Sequence, residues 1–121
     1  PDVFSIRHTT REDAVEPVAH EVKVRRADLL ADLRRPDKHA AYLALASQCW
    51  YVLAEGIGTA DDIPETCGVM VAAPCGPVAF GELRVLRDAP RRPHRLPLST
   101  WMALVRATPQ AALEDDAQGL L

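Results

Sequence analysis

Apolar and polar positions alternate at the start of the chain. Asp2-Val-Phe-Ser-Ile-Arg7 has a two-residue period and the β-formers Val3, Phe4 and Ile6, which predicts a strand. A polar connection runs from His8 through Pro17, and Val18–Val24 reads as a second strand. Together they predict an antiparallel hairpin with a long loop. From Arg26 the period lengthens. Ala27, Leu30, Ala31 and Leu33 fall at helical spacing, and Pro36 ends that helix because it disfavours helical backbone at Arg35. Asp37 is the predicted N-cap of a second helix, Lys38–Ser47. Cys49–Leu53 is a short apolar run suited to a buried strand. Gly68–Ala73 and Glu82–Arg87 are further strands, with Pro74–Gly81 a turn-rich link between them. An Arg/Pro loop, Asp88–Pro97, then leads to a last helix, Leu98–Thr108, capped by Ser99 or Thr100. Strands, a helical stretch, more strands and a helix give an α/β fold around one mixed sheet.

Composition narrows the class. The 121 residues, 48% hydrophobic and 26% charged, suffice for one small domain with a real core and exclude a disordered chain. That domain is expected over residues 1–108, with an acidic, flexible tail over 109–121. No apolar run reaches the roughly 20 residues of a membrane helix, so no membrane partner is expected. Cys49, Cys67 and Cys75 form no CxxC pair, which reads as reduced thiols in a cytoplasmic protein. The net charge of -3 excludes a globally basic nucleic-acid binder. It is unevenly spread, however: residues 76–106 hold six arginines against Glu82 and Asp88.

The candidate chemistry lies on the second strand. Glu21 and Lys23 are two residues apart and share one face. A hairpin turning between Arg11 and Glu12, the middle of the polar connection, would set Asp2 opposite Glu21 and Phe4 opposite Ala19. Two carboxylates meeting at a hairpin end suit a hard divalent cation such as Mg²⁺ or Mn²⁺, which keeps several waters and takes further oxygens from a phosphate. Such an ion polarises a phosphoryl oxygen and acidifies water. A neighbouring lysine stabilises the developing negative charge.

Pro1-Asp2, a strand and loop, and then Glu21-x-Lys23 resemble the PD-(D/E)xK motif of the restriction-endonuclease-like nucleases. Arg25-Arg-Ala-Asp-Leu-Leu-Ala-Asp32, Lys38, Tyr42 and Cys49-Trp-Tyr-Val-Leu53 are similar to the MmcB-like, bacterial DNA-repair-associated branch. The likeness covers roughly residues 1–73. It implies a three-layer sandwich with a central mixed sheet flanked by helices, and Mg²⁺- or Mn²⁺-dependent hydrolysis of DNA phosphodiesters. Asp2 and Glu21 would be the metal ligands, and Lys23 the catalytic lysine. Many members supply another carboxylate from a helix preceding the motif. A chain opening at Pro1 without Met reads as a fragment or processed form, so that helix is expected outside it.

The remaining candidates each have a plainer reading. Arg25, Arg26 and Lys38, and the Arg91, Arg92 and Arg95 cluster, are candidate phosphate contacts; their alternative is a solvated surface. Asp28 and Asp32, four apart on one helix side, can suggest a second metal site; their plainer reading is solvent-facing, with Asp28 near a helix N-terminus where negative charge is favourable. His20 points away from Glu21 as a core or edge histidine. Trp50 and Tyr51 read as core, and Ser47 as a structural hydrogen-bonding residue. A homodimer is the arrangement that would let so small a domain cut two strands. Two rivals stand beside the nuclease. One is a nuclease-like fold that no longer cuts and serves as a DNA-binding or protein-interaction module. The other is an interaction domain in which the motif is accidental.

Overall fold

The computed structural model describes residues 1–74 and 81–107. Its elements in chain order are β1 (Val3–Ser5), β2 (Val18–Lys23), α1 (Arg26–Leu33), α2 (Pro36–Leu45), β3 (Gln48–Ala54), β4 (Gly68–Ala73), β5 (Glu82–Arg87) and α3 (Leu98–Arg106). The five strands form one mixed sheet in the order β1-β2-β3-β4-β5. The outer pairs are antiparallel and the two inner pairs parallel. Antiparallel β1 and β2 are joined by a loop, whereas parallel β2 and β3 need a crossover, which α1 and α2 supply. The α/β class with a mixed sheet and three helices is therefore as the residue pattern predicted.

The hairpin register is also the expected one, with Val3 opposite His20 and Phe4 opposite Ala19. One face of the sheet lies under α1 and α2. Leu29, Leu53 and Val69 are fully buried there, with Ala19, Cys49, Tyr51, Ile63 and Cys67 around them and Phe4, Leu33, Tyr42 and Leu43 packed against the cluster. Glu21 and Lys23 rise from that same face of β2. The opposite face carries Trp50, covered by the backbone at Ala89; a Cβ on Gly68 would overlap the Trp50 ring and stand 2.7 Å from the Ala89 nitrogen. Among the described residues, Val3, Val22, Leu83 and Val85 are exposed on that face.

Two helix starts differ from expectation. Asp37 lies inside the first turn of α2, whose N-cap is Arg35 and whose first residue is Pro36. Proline suits that position, because its missing N–H would have no intrahelical partner. α3 starts directly after Pro97, with no side-chain cap from Ser99 or Thr100, and its helical residues end at Arg106. Thr108, the tail over 109–121 and Cys75 lie outside the described residues. The 13-residue connection from β3 to β4 is tied down by Arg87. Its guanidinium donates to the carbonyls of Ala60, Ile63, Pro64 and Cys67 at 2.7–3.2 Å. No helix among the described residues is long and apolar enough to cross a membrane.

Candidate functional site

Alternation along β2 aims Glu21 and Lys23 at the helix-covered face, near the strand end where α1 begins. Glu21 is 6% exposed, so its charge needs partners. Its Oε2 has two, Lys23 Nζ at 3.4 Å and Lys38 Nζ at 3.5 Å. Its Oε1 is buried without a hydrogen-bond partner. The nitrogen of Pro1 stands 3.5 Å from that oxygen; it is a cation only as a chain terminus and a neutral amide within a longer chain.

Asp32, from the last turn of α1, completes the cluster. Lys38 Nζ donates to its Oδ1 at 2.8 Å, Lys23 Nζ stands 3.7 Å from the same atom, and the Tyr51 hydroxyl donates to its Oδ2 at 2.7 Å. Two carboxylates and two ammonium groups thus interlock, and the buried hydroxyl of a core tyrosine fixes one corner. Burial alone would raise the Asp32 pKa, but the Lys38 and Tyr51 hydrogen bonds and the Lys23 charge outweigh it and hold the carboxyl below its ordinary value. The same hydrogen bond to Asp32, opposed by burial and helped by the Glu21 charge, raises Lys38. Burial, with the Asp32 bond, pushes the Tyr51 phenol far above its usual range. Lys38 also sits 5.7 Å from the centre of the Tyr42 ring, within cation–π range.

The reading of Asp32 as solvent-facing is corrected here: its side chain is 8% exposed, while Asp28 is exposed as expected. Asp32 follows Leu29 by three positions, so it lies on the inward-turning edge of α1. A signal existed in the sequence. A phenol in a buried strand normally has a polar partner, and Tyr51 finds it in Asp32.

Asp2 directly precedes the Val3–His20 pair that ends the β1–β2 ladder, and its N–H donates to the His20 carbonyl at 3.0 Å. Its carboxylate is engaged locally, Oδ2 accepting the Val22 N–H at 2.7 Å, and the residue is exposed. The structure thus brings together Glu21, Lys23, Lys38 and Asp32, with Asp2 at their edge on the hairpin. A cleft of about 340 Å³ opens beside the cluster, lined by the cations Lys23, Arg35 and Lys38 and the acids Asp28 and Asp32.

The other candidate cations lie elsewhere. Arg25 is exposed as the N-cap of α1. Arg26 donates to the Ile57 carbonyl at 2.8 Å and stands 3.6 Å from Asp62. Arg91 bonds Glu16 at 2.9 Å, and Arg92 donates to the Thr66 carbonyl at 3.2 Å. Arg95 borders a separate cavity of about 270 Å³ with His94 and Trp101. His20 is on the opposite face, half-buried, with Nδ1 unpartnered and its pKa lowered by burial. Ser47 bonds the Pro17 carbonyl at 3.0 Å, a structural contact as expected.

Among the described residues, no three or more His, Cys, Asp or Glu side chains stand close enough together to hold a metal by themselves. The donors at the cluster are hard carboxylate oxygens, and Mg²⁺ commonly takes only one or two of these, with water and phosphate oxygens completing its shell. Glu21 Oε1, buried without a hydrogen bond and 3.5 Å from the Pro1 nitrogen, is the carboxylate oxygen open to such a cation. Compared with known protein families, curated proteins and solved structures, the chain shows no match.

Proposed function

We propose that the chain is a divalent-metal-dependent phosphodiesterase acting on DNA, built on a restriction-endonuclease-like sandwich. The observation that carries the proposal is the buried Glu21. It shares its face of β2 with Lys23, leaves one oxygen without a hydrogen bond, and is paired with Lys23 and Lys38, which line a cleft together with Arg35, Asp28 and Asp32. Glu21 would hold Mg²⁺ or Mn²⁺ with one further carboxylate, Asp2 across the hairpin or Asp32 on α1. The ion would supply Lewis-acid polarisation of a phosphoryl oxygen and acidify water. Lys23, 14% exposed and fixed on a strand, would neutralise charge developing on the phosphate. Lys38 and Arg35 would seat the phosphate in the cleft. Asp32 orients both lysines, and Tyr51 keeps Asp32 in place.

Cleavage of single-stranded, duplex and branched DNA with Mg²⁺ and with Mn²⁺, for wild type and Lys23→Ala, tests this reading. Metal-dependent cleavage by the wild type, lost in the variant, is the expected result. Equal activity in both removes Lys23 from the mechanism. The local engagement of Asp2 with the Val22 N–H favours a second reading, a nuclease-like fold that binds DNA without cutting it. Metal-independent DNA binding with no cleavage of any form would establish that reading instead.

A further inference from the structure

Lys38 and Lys23 hold the same two oxygens, Glu21 Oε2 and Asp32 Oδ1, yet they are not equivalent. Lys23 is anchored two residues from Glu21 on a β-strand, and its side chain is 14% exposed. Lys38 comes from the first turn of α2, is 29% exposed, borders the cleft, and stands closer to Asp32 than to Glu21. Both are unit positive charges beside the carboxylate expected to receive a dication. An arriving dication is repelled by both; both line the cleft, but Lys38, 29% exposed against 14% and not held beside Glu21 on the strand, is the one whose flexible stem is freer to turn into it. The cleft already presents Arg35, so an ammonium that leaves the carboxylates joins a phosphate-attracting wall.

We propose that Lys38 is an internal counter-ion that competes with the divalent metal for the Glu21–Asp32 carboxylates and turns into the cleft to meet a substrate phosphate when the metal binds. This rests on the metal-dependent reading above. It makes a prediction opposite in sign to an ordinary supporting role, because removing the Lys38 charge should tighten metal binding. A unit charge about 5 Å from a dication, largely screened by water, corresponds to an affinity change of about tenfold.

The experiment is a Mn²⁺ titration, without nucleic acid, of the wild type, Lys38→Gln, Lys38→Met, Lys38→Arg and Glu21→Gln. Lys38→Gln keeps a donor for Asp32, so its fold is safeguarded where Lys38→Met is the more disruptive change. The expected pattern is wild-type binding lost in Glu21→Gln, about tenfold tighter binding in whichever neutral Lys38 variants are folded, and wild-type affinity in Lys38→Arg. Binding to DNA should weaken in the neutral variants, with its salt dependence reduced by about one counterion. Wild-type Mn²⁺ binding with unchanged or weaker affinity in folded Lys38→Gln overturns the competition while leaving the metal reading intact. Absence of Mn²⁺ binding in every protein overturns both.

Discussion

Replacing Asp32 with alanine removes the acceptor shared by Lys38 at 2.8 Å, Lys23 at 3.7 Å and the Tyr51 hydroxyl at 2.7 Å. Three groups then lose a partner. Two ammonium groups are left facing the single carboxylate of Glu21, and the phenol of Tyr51, a residue only 3% exposed, has lost its acceptor. Breaking a buried ion pair by deleting one partner costs about 3–5 kcal/mol, and an unsatisfied buried hydroxyl about 1–3 kcal/mol. Lys38 can recover hydration through the cleft, which returns part of the first amount, so a net loss of about 2–4 kcal/mol is expected. For a domain of this size that lowers the melting temperature by roughly 8–16 °C. Tyr51→Phe removes only the phenol's hydrogen bond and should cost about 1–2 kcal/mol. Urea unfolding followed by far-UV circular dichroism measures both. A loss below about 0.5 kcal/mol for Asp32→Ala, the range of an ordinary surface substitution, would refute the buried four-charge cluster and restore a solvent-facing Asp32.

Other outcomes follow from the same geometry. Gly68→Ala would drive a Cβ into the Trp50 ring and the Ala89 backbone, so a loss of about 1–3 kcal/mol in urea unfolding is expected. Arg87→Ala frees four loop carbonyls, and amide exchange over residues 59–67 should accelerate at least tenfold while β2 and β3 stay protected. The depressed Asp32 pKa gives a stabilisation fully present above the unfolded value of about 4 and lost as pH falls through the lower folded value. Asp32→Asn should accordingly flatten the acid limb of a stability-against-pH curve measured between about pH 5 and pH 2. His20 also has a depressed pKa, so its contribution is present above about pH 6.5 and declines as acid protonates it; His20→Gln should weaken the dependence between about pH 7 and pH 5.

The parts of the fold that could be read from sequence are those with strict periodicity. Strands β4 and β5 occupy the predicted residues, and the β1–β2 register follows from a two-residue period that tolerates no slip once Phe4 and Ala19 face the core. Helix starts were less legible, because Pro36 serves both to end α1 and to begin α2. Glu21 and Lys23 were recognisable as a pair from strand alternation alone. Asp32 was not, since its i, i+4 relation to the exposed Asp28 points outward while its i−3 relation to the buried Leu29 points inward. Which direction prevails depends on how an eight-residue helix is rotated over the sheet, and tertiary packing decides that. The arginines illustrate a similar limit. Arg87 in a strand pattern gave no hint that its guanidinium would fasten a loop from across the sheet, and Arg91 is turned to Glu16, 75 positions away.

The central claim, a divalent-cation site at the buried glutamate of β2, is tested most directly by anomalous diffraction from crystals soaked in Mn²⁺. The account predicts one peak per chain within about 2.0–2.6 Å of a Glu21 carboxylate oxygen, with Lys38 turned toward the cleft. Density showing Glu21 still bridged by both lysines at saturating Mn²⁺, with no peak beside it, would contradict the account.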